Sequence, residues 1–158
     1  MAHPDATPLA PIDWNIVMAR HAAFEAKSAS LVAVNKACLF EVLAAAGISS
    51  VLVQFDGGGD SGQIESVEAF AGDAPADLPG VDVAMIIPLA DGMDTRSETT
   101  PIADAIESLA FDLLTATHAG WENNDGAYGE FRFDVAAGTI SLDHNDRYVA
   151  VESYEHQW

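Results

Sequence analysis

The chain has 158 residues, with 25 acidic side chains against 6 Lys plus Arg, and a formal net charge of −19. Hydrophobic residues make up 49%, which is enough for a core and too many for a disordered acidic tail. A field of that sign repels phosphate and anionic head groups, which excludes direct nucleic-acid binding through a basic face and attraction to an anionic membrane.

The single cysteine, Cys38, excludes an internal disulfide and any cysteine-based metal cluster. The proline-rich start has no apolar run of the signal-peptide kind, and no stretch approaches the roughly 20 apolar residues of a membrane helix. A cytoplasmic protein is expected. The charge is uneven: residues 1–50 carry 4 acids against 3 cations, whereas residues 51–158 carry 21 acids against Arg96, Arg132 and Arg147 alone. Such a half attracts cations or a basic partner, although it also serves plain solubility.

Residues 1–12 read as a flexible arm and residues 13–158 as one domain. Asp13 is placed to cap a first helix, on which Trp14, Val17, His21, Phe24 and Leu31 recur at helical spacing and would face a core. Asn35 is placed to cap a second helix over 36–46 that ends at Gly47, with one long helix as the alternative. Val51, Val53 and Phe55 then alternate with more polar neighbours as in a strand. Residues 57–62 read as a turn, 63–70 as a returning strand, and 72–80 as a loop. Val81 to Pro88 reads as a third strand and 90–99 as a mobile crossing.

Thr100 and Pro101 are placed as cap and first residue of a helix with Ile102, Ile106, Leu109, Leu113 and Ala116 as its apolar stripe, closed by His118 and Gly120. Strands are expected at 131–135, 139–143 and 148–154. The order gives an α+β class: N-terminal helices, a mostly antiparallel sheet, and one further central helix packed on it.

Three segments concentrate polar side chains where strands end: 56–65, 120–130 and 143–147. If hairpin ends bring them together, Asp56, Asp60, Asp125 and Asp143 can share a hard cation such as Ca²⁺ or Mg²⁺, because carboxylates and turned carbonyls are its ligands. Glu65, Trp121, Glu122, Asn123, Asn124, Tyr128, Glu130, His144 and Asn145 complete a polar cluster suited to a partner. The EF-hand spacing is absent, and turns that merely close hairpins use the same residues. Gly59-Asp60-Ser61-Gly62 spells a chymotrypsin-type tetrapeptide, but only His3 and His21 precede Ser61 and the chain is too short for that fold. His144 is the best general-base candidate, since a neighbouring carboxylate can orient its ring. The residues do not decide whether any catalysis occurs, nor which cofactor, if any, is bound.

The stretches FDGGGDSGQIE (55–65), GWENNDGAYGEFRFDV (120–135) and LDHNDRY (142–148) resemble an uncharacterised bacterial domain family found often on plasmids and other mobile elements. NKACLFEVLAAAGI (35–48) and ADAIESLAFDLL within the helix 102–118 are similar to it too, so the resemblance extends over residues 13–158. It implies one compact domain and carries no activity to transfer. The leading expectation is a non-enzymatic acidic protein that engages a basic protein partner, as a nucleic-acid-mimicking inhibitor encoded on a mobile element. The alternatives are a divalent-cation-binding domain or a small metal-assisted hydrolase that uses the Asp/Asn/Gly loops.

Overall fold

A computed structural model describes residues 10–59, 61–89, 94–123 and 125–158, with Ser28 given by its backbone only. Most of the expected arm lies outside the described residues. Asp13 does cap the first helix, accepting a hydrogen bond from the Asn15 N–H at 3.0 Å. That helix, α1, runs unbroken from Trp14 to Ala45. Neither Gly nor Pro occurs in this stretch, so nothing in the chain interrupts the helix.

Asn35 is therefore no cap. It is buried at 6% exposure and lies inside the helix. Its Nδ2 donates to the Ile86 carbonyl at 2.9 Å, and its Oδ1 accepts from the Ile86 N–H at 2.8 Å. The second half of α1 is core, with Leu39 and Leu43 fully buried. The first half is not, because among the described residues no other element packs over it: Trp14 is 67% exposed and Val17 43%. The helical period was legible there, but the expected core partner is absent among the described residues. By length and composition α1 could cross a membrane, contrary to the sequence expectation. Its burial from Leu31 onward is what a core helix shows.

Five antiparallel strands follow α1 in one sheet: β1 (Ser50–Gly58), β2 (Ser61–Ala71), β3 (Ala74–Ala76), β6 (Ala127–Asp134) and β7 (Thr139–Asp146). Their spatial order is β3-β2-β1-β6-β7. A separate two-stranded ribbon is made by β4 (Asp82–Pro88) and β5 (Thr95–Pro101), which leads into α2 (Ile102–Thr117). Period-two alternation sends Val51, Val53, Phe55, Phe131 and Phe133 to one face, where they join Leu39, Leu43, Ile106 and Leu109 in the core. The α+β class is thus realised, with the helices on one side of the main sheet.

Four local expectations are corrected. The loop 72–80 contains β3, whose Pro75 is tolerated because β3 is an edge strand. The second half of the expected crossing is β5, whose Thr95, Thr99 and Thr100 suit a strand and pair with β4. Thr100 is consequently spent opposite Val83, and Pro101 takes the cap position of α2 without a side-chain cap bond. Residues 148–154 form no strand. β7 ends at Asp146, and the Arg147 N–H is bonded to the Gly126 carbonyl at 2.9 Å, which leaves no residues for a hairpin turn back along β7.

Candidate functional site

The three polar segments do meet at one end of the sheet. β1 lies between β2 and β6, so the turn after Gly58 and the segment before Ala127 are neighbours, and β7 delivers Arg147 to the same place. What occupies the meeting point is a cation from the chain itself. Arg147 donates from Nη1 to Asp56 Oδ1 at 2.8 Å and from Nη2 to Asp56 Oδ2 at 2.9 Å. Nη1 also reaches the carbonyls of Gly57 at 3.2 Å and Ala127 at 3.5 Å. The guanidinium lies over the Tyr128 ring, 4.7 Å from its centroid. Carboxylate and carbonyl oxygens converge as a cation requires, and a planar two-pronged donor satisfies them.

The other described metal candidates take other partners, and Asp143 lines the same outer cavity as Asp56. Asp125 accepts the Val149 N–H at 3.0 Å, which steers the C-terminal segment past the loop. Asp143 accepts from Asn145 Nδ2 at 3.1 Å on the sheet's outer face. Asp60, like Asn124 of the polar cluster, lies outside the described residues. Among the described residues no group of three or more His, Cys, Asp or Glu is arranged to hold a metal ion.

The glycines of these loops serve an aromatic ring. Trp121, expected at a partner surface, is instead buried at 7% exposure. It meets Phe55 edge-on at 5.4 Å between ring centroids and lies 6.1 Å from Phe111. A Cβ on Gly57 or Gly62 would clash with the Trp121 ring. Gly126, at φ +80°, brings its Cα so close to Gly57 that a Cβ would overlap the Gly57 carbonyl. Trp121 follows α2 because Gly120 turns the chain at φ 77° and the Trp121 N–H bonds to the His118 carbonyl at 3.1 Å. Glu122 and Asn123 are left in the turn, with the Asn123 N–H bonded to the Gly120 carbonyl at 2.9 Å.

His144 is on the core side of β7, not with Asp143 and Asn145. Its ring stacks on His118 at 3.6 Å with 5° between planes, and on Phe55 at 5.8 Å. Nε2 lies 2.8 Å from Asp146 Oδ1, so the orienting carboxylate exists, while Nδ1 is enclosed without a partner. At 6% side-chain exposure, this histidine joins the end of α2 to the sheet.

The outer face of the sheet carries the other predicted residues. Gln54, Asp56, Glu65, Tyr128, Glu130, Asp143 and Asn145 line an open cavity of about 410 Å³ together with Phe55 and Gly129. Glu65 is the extra residue of a bulge: Gln54 pairs with Ser66 and Phe55 with Ile64, which leaves Glu65 without an opposite residue. Glu130 faces Asp143 directly across the β6–β7 pair. Neutral amides orient three of the carboxylates. Gln63 Nε2 donates to Glu65 at 2.8 Å, Gln54 Nε2 to Glu130 at 3.3 Å, and Asn145 to Asp143. Among the described residues none of these three forms an ion pair, and only Asp56 is neutralised. Arg147 and the bulge are the two site features that sequence reasoning missed. Arg147's only signal was its rarity, being one of three cations after Lys36.

Hydrogen bonding from Arg147 holds the Asp56 carboxyl below its usual range; partial desolvation opposes this, and the guanidinium charge adds to the lowering. A carboxyl depressed in the folded state stabilises the fold above its unfolded pKa, and that contribution is lost as pH falls through the folded value. The wild type is therefore expected to exceed Asp56→Asn in stability at pH 6 and to lose that margin below about pH 4. Urea melts at the two pH values check this. The margin is small and salt-sensitive, since both side chains are part-exposed at 37% and 47%.

The family model described as "Family of unknown function (DUF6878)" matches residues 31–158. No curated protein and no solved structure matches the chain. The match contains all three polar segments and begins at Leu31, the first buried residue of α1, later than the resemblance read from residue 13. The chain belongs to this family of unknown function.

Proposed function

We propose that the protein is a non-enzymatic binding module whose outer sheet face engages a basic protein partner. The observation that carries this reading is the set of Glu65, Glu130 and Asp143, oriented by amides and, among the described residues, without an ion pair on the open outer face. Like charges directly opposed across strands, as in Glu130 and Asp143, cost stability in the free protein. An arriving ammonium or guanidinium relieves that cost. A partner that otherwise holds nucleic-acid phosphates has the required chemistry, and mimicry of a phosphate array is the form of inhibition it allows.

The probe is a ten-residue arginine peptide titrated by calorimetry, with duplex DNA as competitor once a natural partner is in hand. Glu130→Gln/Asp143→Asn is expected to weaken binding about 3- to 10-fold at low salt, each exposed pair contributing modestly. Asp104→Asn/Glu107→Gln on α2 removes the same charge elsewhere and is expected to change it by less than about twofold. Equal losses in the two variants would reduce the interaction to net charge and sink the proposal. A melting-temperature rise with millimolar Ca²⁺ or Mg²⁺, lost in Asp143→Asn, would replace it by the cation-binding reading.

A further inference from the structure

We infer that the N-terminal overhang of α1 pairs antiparallel with the same segment of a second copy, so that the protein is a weak dimer joined by helices and not by its acidic bodies. From Trp14 to Ser30 the helix stands clear of the domain for 17 residues, about 25 Å at 1.5 Å per residue. Ile12, Trp14, Ile16, Val17 and Met18 are all more than 40% exposed. Five large apolar side chains within seven positions are more than scattered surface residues.

The face that would pair is defined by the rest of the helix. Trp14, Val17, His21, Phe24, Ser28 and Leu31 follow the alternating three- and four-residue steps of a heptad seam, apolar at four of these six positions. Continued, the same steps reach Asn35, Cys38 and Val42, which α1 turns toward its own domain. One stripe thus runs the length of the helix, covered by the chain's own core after residue 31 and uncovered before it.

Charge selects a second copy as the occupant. Residues 10–30 hold Asp13 and Glu25 against Arg20 and Lys27, a net charge of zero, whereas residues 31–158 hold 22 acids against 4 cations, a net of −18. The overhang is the one part of the described chain that two such molecules can bring together without opposing their charged bodies. Antiparallel pairing sets the bodies at opposite ends of the paired helices, separated by about three Debye lengths at physiological salt. It also avoids collision, because the pairing stripe and the domain lie on the same side of α1. A parallel partner helix would run into the domain, whereas an antiparallel one ends where the domain begins. The paired surface is at the small end of specific interfaces, so association is expected in the micromolar range.

Sedimentation velocity on the full chain, from about 1 to about 300 µM in physiological salt, reads the result, since a Kd in that range gives a visible shift from monomer to dimer. The wild type is expected to dimerise across this range. Val17→Asp/Phe24→Asp is expected to stay monomeric throughout, with the melting temperature of the domain unchanged. Ala23→Asp, on the opposite side of the overhang, is expected to dimerise as the wild type does. A wild type that remains monomeric at the highest concentration overturns the inference. So does a dimer that survives Val17→Asp/Phe24→Asp, which would move the contact to the β7 edge or the exposed C-terminal segment. Sedimentation of the wild type, but not the double variant, with neutral phosphatidylcholine vesicles would assign the overhang to a membrane and overturn it as well. None of these readouts depends on the arginine-peptide titration, so the two proposals stand or fall separately.

Discussion

Gly57→Ala is expected to destabilise the fold by about 3 kcal/mol, the upper range for forcing a methyl into a filled site. The new Cβ has no room, because the Trp121 ring already occupies the space between Gly57 and Gly62. Backbone movement gives little relief: β1 is the central strand, paired with β2 on one side and β6 on the other. Trp121→Leu alone is expected to cost about 3 kcal/mol through lost burial against Phe55 and Phe111 and the void left behind. The two substitutions together are expected to cost at least about 1 kcal/mol less than their sum, because removing the ring makes the space the methyl needs. Urea denaturation of the four proteins of this cycle measures the coupling. Simple additivity would show that the glycine run is needed for turn geometry alone and not for the tryptophan.

The turn expected over 57–62 is present between β1 and β2, but the Trp121 ring lying against Gly57 and Gly62 is not legible in the glycine-rich motif. A run of glycines beside aspartates is consistent with carbonyls turned toward a cation, with a tight turn, or with a large side chain passing close to the backbone. These alternatives are indistinguishable until Trp121, 64 positions after Gly57, is placed. Local patterning places the three polar segments at strand ends, and whether they meet depends on the strand order. Patterning could not find the guanidinium at their centre. Arg147 and Asp56 are 91 positions apart, and their pairing depends on the order β2-β1-β6-β7, which hydrophobic alternation does not encode. The same limit hid the bulge that frees Glu65, since a register shift leaves no mark in composition.

Elements with strong patterning were legible. α2 and β1 lie where periodicity put them, while β6 begins at Ala127, four residues before the expected strand; the buried face of α2 is Ile102, Ala105, Ile106, Leu109, Ala110 and Leu114, without the expected Leu113 and Ala116. Elements defined by pairing were not. β3 has three residues and β5 exposes nearly all of its side chains, so neither carries an alternating apolar signal. The opposite failure occurred in the first half of α1, where a helical apolar pattern was real but the covering partner was assumed to be the chain's own core. His144 is an intermediate case. A carboxylate does orient its ring, yet the odd-even position on β7 turns the ring inward, onto His118 and Phe55.

Asn35 gives the sharpest contrast between local preference and tertiary demand. On helix propensity alone, Asn35→Leu in the middle of α1 should stabilise the helix by a few tenths of a kcal/mol. The opposite is expected, a loss of about 2–4 kcal/mol, because the Asn35 amide satisfies both backbone groups of Ile86. Among the described residues β4 pairs with β5 alone, so Asn35 stands in for a strand neighbour at this position and locks α1 to the ribbon. A leucine of similar size fills the space but leaves the N–H and carbonyl of Ile86 without partners where water has poor access. Urea denaturation gives the sign, and native-state hydrogen exchange gives the location. The Ile86 amide is expected to lose protection in Asn35→Leu, whereas Val34→Ala, at a 42% exposed position one residue earlier, should leave it intact. A stabilised Asn35→Leu would mean that the helix interior, and not the bridge to β4, governs this residue.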